Sequence, residues 1–544
     1  MKRMLSKRMG WGLVLFLSLL PLINLLHPGL PVTHDGQDHV ARIANFYQSL
    51  TEGNIIPRWA ANLNWGYGHP ILMFLYPLPS YIASFFHGIG FSLVDSTKLV
   101  FAAGFIAGMA AMYWWAKEEW SVWPGVTAAV LYGFAPYRFV DLYVRGDIGE
   151  HVAFVFLPVI LWGVLRLSKD ATHRAGFAAV TLGTALLILA HNALSIVFLP
   201  IAGLYGLYCF FREKRRVLFM VSGVLAVLLG FMLSAFFWIP AFFEGKYTLR
   251  DIVTAGQIAG RFVPFGAFIY SPWSYGGTDQ LSKSLGWAQL VAVVISLFII
   301  GKSKKFRIET AGAFGILLVS LFIMTGPSQF FWQHISLLQK FQFPWRFLSV
   351  SVAATSLLGG IVVAVSGKKQ HILAVALCAL AVLGTATMWH AHAYKTYDPS
   401  FFTGVYKGTT DTGESSPIWS VRFMEHTATA PMSAITGTAT ITEVSRNTTS
   451  HIYRVLAQSD TRLLENTLYF PGWIIRVDGV PVPVQFQDPA FRGLMTFTVP
   501  KGVHTVSVSF TNTKLRTYSE AVTVAGAVLL IGILGTITLW ERRN

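Results

Sequence analysis

Charge is what this sequence has least of. Asp, Glu, Lys and Arg make up 12% of its 544 residues, against roughly 25% in soluble globular domains. That excludes an ordinary water-soluble enzyme. Cysteine is nearly missing too: Cys209 and Cys378 each lie inside an apolar run, so no structural disulfide is expected. No small-residue cleavage site follows the basic start and the apolar stretch Trp11–Leu26; the run ends in His27-Pro28-Gly29-Leu30-Pro31. An uncleaved first helix is therefore expected rather than a signal peptide. A His-Glu-x-x-His zinc signature is absent as well.

What the chain has instead is apolar length. Hydrophobic residues reach 53% and aromatics 14%, and the mean hydropathy is +0.53. Bases outnumber acids 42 to 26, for a net charge of +16. The bases cluster in short loops between apolar runs, which is the pattern of orientation in a bilayer and not of a nucleic-acid surface. Runs long enough to span occur at 11–27, 96–116, 121–138, 151–168, 174–190, 193–211, 217–239, 286–301, 308–325, 347–366, 371–390 and 520–540. A further run, 70–91, carries Pro70, Pro77 and Pro79 and makes a poor uninterrupted helix.

Orientation decides how 70–91 is read. If it lies outside or re-enters, the clusters Arg212/Lys214/Arg215/Arg216 and Lys302/Lys304/Lys305/Arg307 fall in the cytoplasm, as the positive-inside rule requires. Both termini, including Lys2–Lys7 and Glu541–Asn544, then lie inside. The expectation is an all-α polytopic membrane protein with about 12 transmembrane helices. Residues 28–95, 139–150, 240–285, 326–346 and 391–519 would share the outer face. Between 391 and 519 alternation replaces apolar runs, as in Val506-Ser507-Val508-Ser509-Phe510, and Asp478-Gly479 gives a hairpin signal. A small extracytoplasmic β-sandwich is expected there. The resulting division is a membrane module at 1–390 with its outer loop 28–95, the β-domain at 391–519, and a last helix with its tail at 520–544.

The chemistry-bearing residues gather on that outer face. Thr33-His34-Asp35-Gly36-Gln37-Asp38-His39 with Arg42 packs two acids, two imidazoles and a guanidinium into ten residues. Asp35 and Asp38 are candidate catalytic acids, since a tuned carboxylate can deprotonate an attacking hydroxyl. Helix capping by Thr33 or Asp35 would account for one acid but not for His34, His39 and Arg42 beside it. A second cluster, Arg138, Asp141, Arg145, Asp147, Glu150 and His151, opens the 151–168 helix. Capping and substrate contact both remain open for it. His191, at the outer end of a helical hairpin, is a turn residue or a ligand. Arg346 in Phe343-Pro344-Trp345-Arg346 sits where a guanidinium could grip a lipid phosphate or snorkel to headgroups. Lys246 and Arg261 are weaker candidates of the same kind. His34 and His39 beside acids make a divalent metal conceivable, but the spacing carries no ligand signature and none is expected.

Pro57-Arg58-Trp59, Gly66-Tyr67-Gly68-His69-Pro70, Tyr76-Pro77-Leu78-Pro79-Ser80-Tyr81 and, near the end, Tyr469-Phe470-Pro471-Gly472-Trp473 with Val477-Asp478-Gly479 resemble the multi-spanning bacterial membrane proteins related to YfhO. That group includes the proteins named after 6-pyruvoyl-tetrahydropterin synthase, and it is similar to GT-C glycosyltransferases. The resemblance covers nearly the whole chain. It implies a GT-C-like fold, a polyprenyl-phosphate sugar donor, a glycan or envelope-polymer acceptor and membrane lipids as partners, with nucleic acid excluded. It also implies a first-loop acid as general base, which falls on Asp35, and a second-loop acid, which falls on Asp147 or Glu150. The sequence departs from an Asp-x-Asp triplet, because two residues separate Asp35 from Asp38. A flippase of lipid-linked glycans and a non-catalytic envelope scaffold are the competing functions. Interrupted mid-membrane repeats, the mark of transporters, are not evident.

Overall fold

A computed structural model describes the backbone of residues 2–543 apart from 255, 257, 259 and 278, and their side chains apart from 2–7, 301 and 540–543. The basic side chains of Lys2, Arg3 and Lys7 and the tail Glu541–Asn544, assigned above to the inner face, lie outside the described side chains.

Among the described residues nine helices are long and apolar enough to cross a membrane: Arg8–Leu26, Leu93–Glu119, Ile148–Lys169, Asn192–Arg212, Arg216–Leu233, Arg307–Met324, Pro344–Val365, Gly367–Met388 and Lys514–Leu539. Three shorter apolar helices, Val122–Gly133, Arg174–Ala190 and Trp287–Ile300, fall on the remaining expected runs but below that length, and the expected run 121–138 stops as a helix at Gly133. Val122–Gly133 and Pro344–Val365 are almost wholly buried and pack on each other, whereas Arg216–Leu233 and Lys514–Leu539 are mostly exposed. The expected run 217–239 is not one helix. It stops at Leu233, and Ser234, its hydroxyl bonded to the Gly230 carbonyl, separates it from Ala235–Phe243. Pro240 lies in that second piece and cannot continue the ladder back to Phe236. The carbonyl of Phe236 accepts from Arg58 instead.

The proline-rich stretch 70–91 breaks in the way its composition requires. A single turn, Ile71–Phe74, is separated from Leu78–Gly88 by extended Leu75. Pro79 stands in the first turn of the second piece, where its missing N–H costs nothing. Neither piece is long enough to span.

Two short strands, β1 (Leu30–Pro31) and β2 (Tyr394–Lys395), pair antiparallel and tie the first loop to the chain leaving the bundle. Residues 396–431 are largely irregular, and eight strands follow. One sheet has β3 (Met432–Thr436), β6 (Thr461–Leu468) and β9 (Leu494–Val499) in the order β3-β6-β9. The other has β4 (Ala439–Arg446), β5 (Ser450–Ala457), β7 (Trp473–Val477), β8 (Val480–Pro481) and β10 (Gly502–Phe510) in the order β4-β5-β10-β7-β8. All pairs are antiparallel. Tyr453, Val455, Leu463, Ile475, Phe497, Val506 and Val508 form one core between the sheets, which makes this a sandwich. Asp478 and Gly479 both take positive φ, +50° and +83°, as a two-residue hairpin demands.

The sandwich is bolted to the bundle by buried guanidiniums. Arg516, at the start of the last helix, donates to Glu244 and to the carbonyl of Pro471. Arg58 bonds Glu520 and Asn512. Single cysteines test the orientation expected from the basic loops. A cysteine at Thr438 should react with an impermeant maleimide on intact cells, and one at Lys214 only after permeabilisation. The reverse pattern would overturn that orientation.

Candidate active site in a cavity at one end of the bundle

The loops that follow or precede the spans at one end converge on a cavity of about 1090 Å³. That is at the upper end of small-molecule sites, which run roughly 300–1,000 Å³. Its wall is contributed by residues from 34–42, 74–76, 145–147, 191–196, 250–254, 329–346 and 410–414, with Gly256, Ile258 and Phe262.

The two acid-rich loops are joined through their backbones. His34 N–H donates to the Val144 carbonyl and Asp35 N–H to the Arg145 carbonyl. Gly146 makes this approach possible. It has φ +67°, and a Cβ there would overlap the Thr33 hydroxyl. Gly149 does the same for Tyr76, whose ring occupies the space a side chain would need. Asp35 thereby ends one residue before the helix Gly36–Thr51, in front of the second cluster.

Asp35 lines the cavity, and among the described residues no donor reaches its carboxylate within hydrogen-bond distance. Burial, reinforced by the nearby charge of Asp147, raises its pKa, against the opposing pull of Arg145, Arg42 and His34. It does not cap the helix with its side chain, so the capping alternative fails for this acid. Asp38 also lines the cavity, but the Tyr406 hydroxyl donates to it at 2.7 Å. Gln37 and Tyr397 extend that network to the 397–406 segment. His39 receives Arg42 Nη1–H on Nδ1 at 3.1 Å, and Arg42 Nη2 bonds the Thr410 carbonyl. Burial and then the Arg42 charge push the His39 pKa down, so it stands neutral with its proton on Nε2. His34 reaches the Gly276 carbonyl at 2.9 Å.

The second cluster centres on Arg145. Its guanidinium meets Asp141 and Asp147 at 2.6 Å and Glu150 at 2.9 Å, and lies 4.7 Å over the Trp345 ring. Every side chain in that set is buried. Arg346 brings a second cation, its Nε 3.1 Å from Glu150. Burial opposes charge on Asp147, but Arg145, His191 and Arg346, with the Glu150 N–H, outweigh it and hold its carboxyl below the usual range. Asp141 goes the other way: burial first and then the Glu150 charge raise its pKa well above normal. Its Oδ2 has no partner. A proton on Asp141 leaves two carboxylates facing two guanidiniums, a balanced buried set.

Three residues expected at the substrate do not line the cavity: Arg138, His151 and Glu150, the last fully buried among Arg145, Arg346 and Tyr137. Arg138 is fully buried, 4.1 Å over Phe154, and donates to the His151 carbonyl. His151 bonds the Phe101 carbonyl and stacks on Phe105. Both face Leu93–Glu119, away from the cavity, because the helix is not continuous here: Arg138 lies in the short piece Pro136–Phe139, before the wider turns of Val140–Arg145, and His151 lies inside the helix Ile148–Ala153 that Asp147 only caps. Arg145 is a lining residue, but its charge is already consumed by carboxylates. Lys246 and Arg261 do not line the cavity; Lys246 lies over Tyr247 and Arg261 over Phe343. His191, Asp147 and Arg346 do line it. Tyr76, not singled out from the sequence, donates to Asp147 at 3.2 Å and packs on the His191 ring. Its place in a proline-punctuated aromatic motif was the available signal. Arg250 and Lys340 also line the cavity and were hidden among ordinary loop bases.

Asp147, Glu150 and His191 offer ligand atoms within 4.8 Å of one another, close enough for a cation. The donor chemistry disfavours one. Arg145 already bonds both carboxylates, and His191 spends Nδ1 on the Leu194 N–H at 3.1 Å, so a neutral ring carries its proton on Nε2, the atom facing Asp147.

The fold and site define a polytopic helical membrane protein with a polar cavity roofed by loops and flanked by a β-sandwich. Residues 72–392, more than half of the chain, match the family described as 6-pyruvoyl-tetrahydropterin synthase related domain, membrane protein, and the chain belongs to that family. An uncharacterized protein of Lactococcus lactis subsp. cremoris strain MG1363 is 25% identical over 237 residues, 42% of this chain and 38% of its own length. The match therefore spans about two fifths of that relative. Among solved structures, the mycobacterial arabinofuranosyltransferase AftD shares 17% identity at a TM-score of 0.43, over 70% of this chain and 27% of its own. The Archaeoglobus fulgidus oligosaccharyltransferase shares 12% at 0.44, over 76% and 61%. ArnT of Cupriavidus metallidurans bound to undecaprenyl phosphate shares 14% at 0.30, over 70% and 78%. These are partial likenesses.

Removing Arg145 strands buried carboxylates. Arg145→Gln should cost about 3–5 kcal/mol of stability, read as a large fall in the thermal midpoint of the detergent-purified protein. An unchanged midpoint would show that the cluster does not hold the loops together.

Proposed function

We propose that this protein is a membrane glycosyltransferase that moves a sugar from a polyprenyl-phosphate donor to a glycan or envelope-polymer acceptor, with inversion, on the outer face of the cell membrane. One observation carries the reading: a single cavity presents an unpaired, raised-pKa carboxylate, Asp35, together with the free edge of a guanidinium, Arg346. Acceptor activation needs the first and a departing phosphate needs the second. The wall segments suit a lipid that carries its charge at one end. Arg250 and Lys340 line the cavity, while Ile252, Phe330, Ile335 and Leu337 beside them are exposed.

In this reading the acceptor hydroxyl attacks the anomeric carbon as Asp35 takes its proton. The bond from that carbon to the phosphate oxygen breaks, and its electron pair leaves with the lipid phosphate. Arg346 stabilises the charge that grows there. Asp38 and His39 orient the sugar or Asp35, and loop 410–414 forms the acceptor side, continuous with the β-domain. The membrane module 1–390 carries the reaction, 391–519 positions the acceptor, and 520–544 anchors it. No divalent ion is invoked, since guanidinium charge already faces the acids it would need.

Labelled polyprenyl-phosphate monosaccharide supplied to membranes should be used by the wild-type protein, and Asp35→Asn should cut transfer about 10²–10⁴-fold. Transfer at the unmodified rate would remove Asp35 as base. Because a base must be ionised and burial raises this carboxyl, kcat/KM should fall with acidification while pH is still above the ordinary Asp value of about 3.9. A rate flat down to that value would contradict the assignment.

A further inference from the structure

His191 lines the cavity at the start of a membrane-length helix. It precedes the helix Asn192–Arg212, and its Nδ1 accepts the Leu194 N–H, so the ring caps that helix. The cap bond sets the tautomer: with Nδ1 accepting, the neutral imidazole must carry its proton on Nε2. Nε2 lies 3.9 Å from Asp147 Oδ2, beyond hydrogen-bond reach, and has no other acceptor among the described residues. The Tyr76 ring, at 4.9 Å, holds the imidazole from one side. Tyr76 in turn donates to Asp147, whose Oδ2 is taken by Arg145. His191 and Arg346 both line the cavity beside Asp147. Arg346 uses Nη1 on the Phe341 carbonyl and sets Nε against Glu150, which leaves Nη2 without a partner among the described residues. The cavity wall therefore carries a fixed neutral N–H and a guanidinium edge, both near Asp147 and both without an acceptor among the described residues.

We infer that His191 Nε2–H and Arg346 together form the seat of the donor's phosphate, with His191 as the neutral donor aimed at the oxygen that leaves. The inference rests on the proposed transfer reaction and adds a residue to it. His191 keeps its proton throughout. It hydrogen-bonds the phosphate oxygen that acquires the electron pair of the broken bond, while the acceptor's proton goes to Asp35. A neutral donor suits the place: a third full cation beside Arg145 and Arg346 would be repelled, whereas an N–H dipole adds stabilisation without net charge.

The cap and the donor roles separate in one variant. In His191→Asn the amide oxygen can occupy the Nδ1 position, and Asn is a good helix N-cap, but nothing replaces Nε2–H. The measurement is binding of undecaprenyl phosphate, with undecaprenol as control, to the full-length protein in nanodiscs, alongside the thermal midpoint and EDTA treatment. The expected result is wild-type preference for the phosphate, about tenfold weaker phosphate binding by His191→Asn at an unchanged midpoint, and no effect of EDTA. Where transfer is followed, kcat should fall about a hundredfold with the acceptor KM unchanged. Equal affinity of the variant and wild type would overturn the inference and leave the reaction standing. No wild-type preference for phosphate over alcohol would overturn the reaction and the inference with it. Loss of wild-type binding in EDTA, restored by a divalent ion, would make His191 a metal ligand instead.

Discussion

The arrangement depends on one buried cation. Arg145 meets three carboxyl groups, from Asp141, Asp147 and Glu150, where water cannot screen them. Buried charges persist only when paired and hydrogen-bonded, so the guanidinium pins the loop before Ile148–Lys169 to a single conformation. The carbonyl of the same residue accepts the Asp35 N–H. Structural order is passed in this way from the loop before Ile148–Lys169 to the loop before Gly36–Thr51. The acid that is left unpaired is held still by neighbours that are not.

That division of labour separates charges that build the site from charges open to a ligand. Arg145 and Asp147 look like substrate-binding residues by type and proximity, yet their partners are each other. Asp35, His191 and Arg346 line the cavity and have valences left unfilled among the described residues. Such unfilled valences are costly in a buried place and mark where a ligand would complete the set. The β-sandwich contributes rigidity through Arg516 and Arg58, and the segment leading to it supplies a wall through loop 410–414.

Much of this was legible in the residues. Apolar run lengths located the helices, because a bilayer sets one length scale for all of them. Prolines 70, 77 and 79 foretold the break in 70–91, and Asp478-Gly479 foretold a hairpin, because only particular residue types accept positive φ cheaply. The acid-and-histidine stretch at 33–42 does line the cavity. The placing of Arg138 and His151 was not legible. The helix carrying them breaks between Phe139 and Val140 and again at Gly146–Asp147, and which way a side chain faces is invisible while the starts of the separate pieces are unknown.

Composition and spacing by themselves determined that this chain lives in a membrane, how many apolar helices it offers, where a β-domain begins to show, and which stretches are rich in chemistry. These follow from local propensities and from the cost of burying polar backbone, which act within one segment at a time. Only the tertiary structure decided which charges cancel. Pairing Arg145 with three acids, leaving Asp35 and the Arg346 edge unpaired, and locking the His191 tautomer through the Leu194 N–H all require segments from separate loops, or the exact turn of a helix start, to meet at ångström distances. Electrostatic role is a property of those distances, and no single segment contains them.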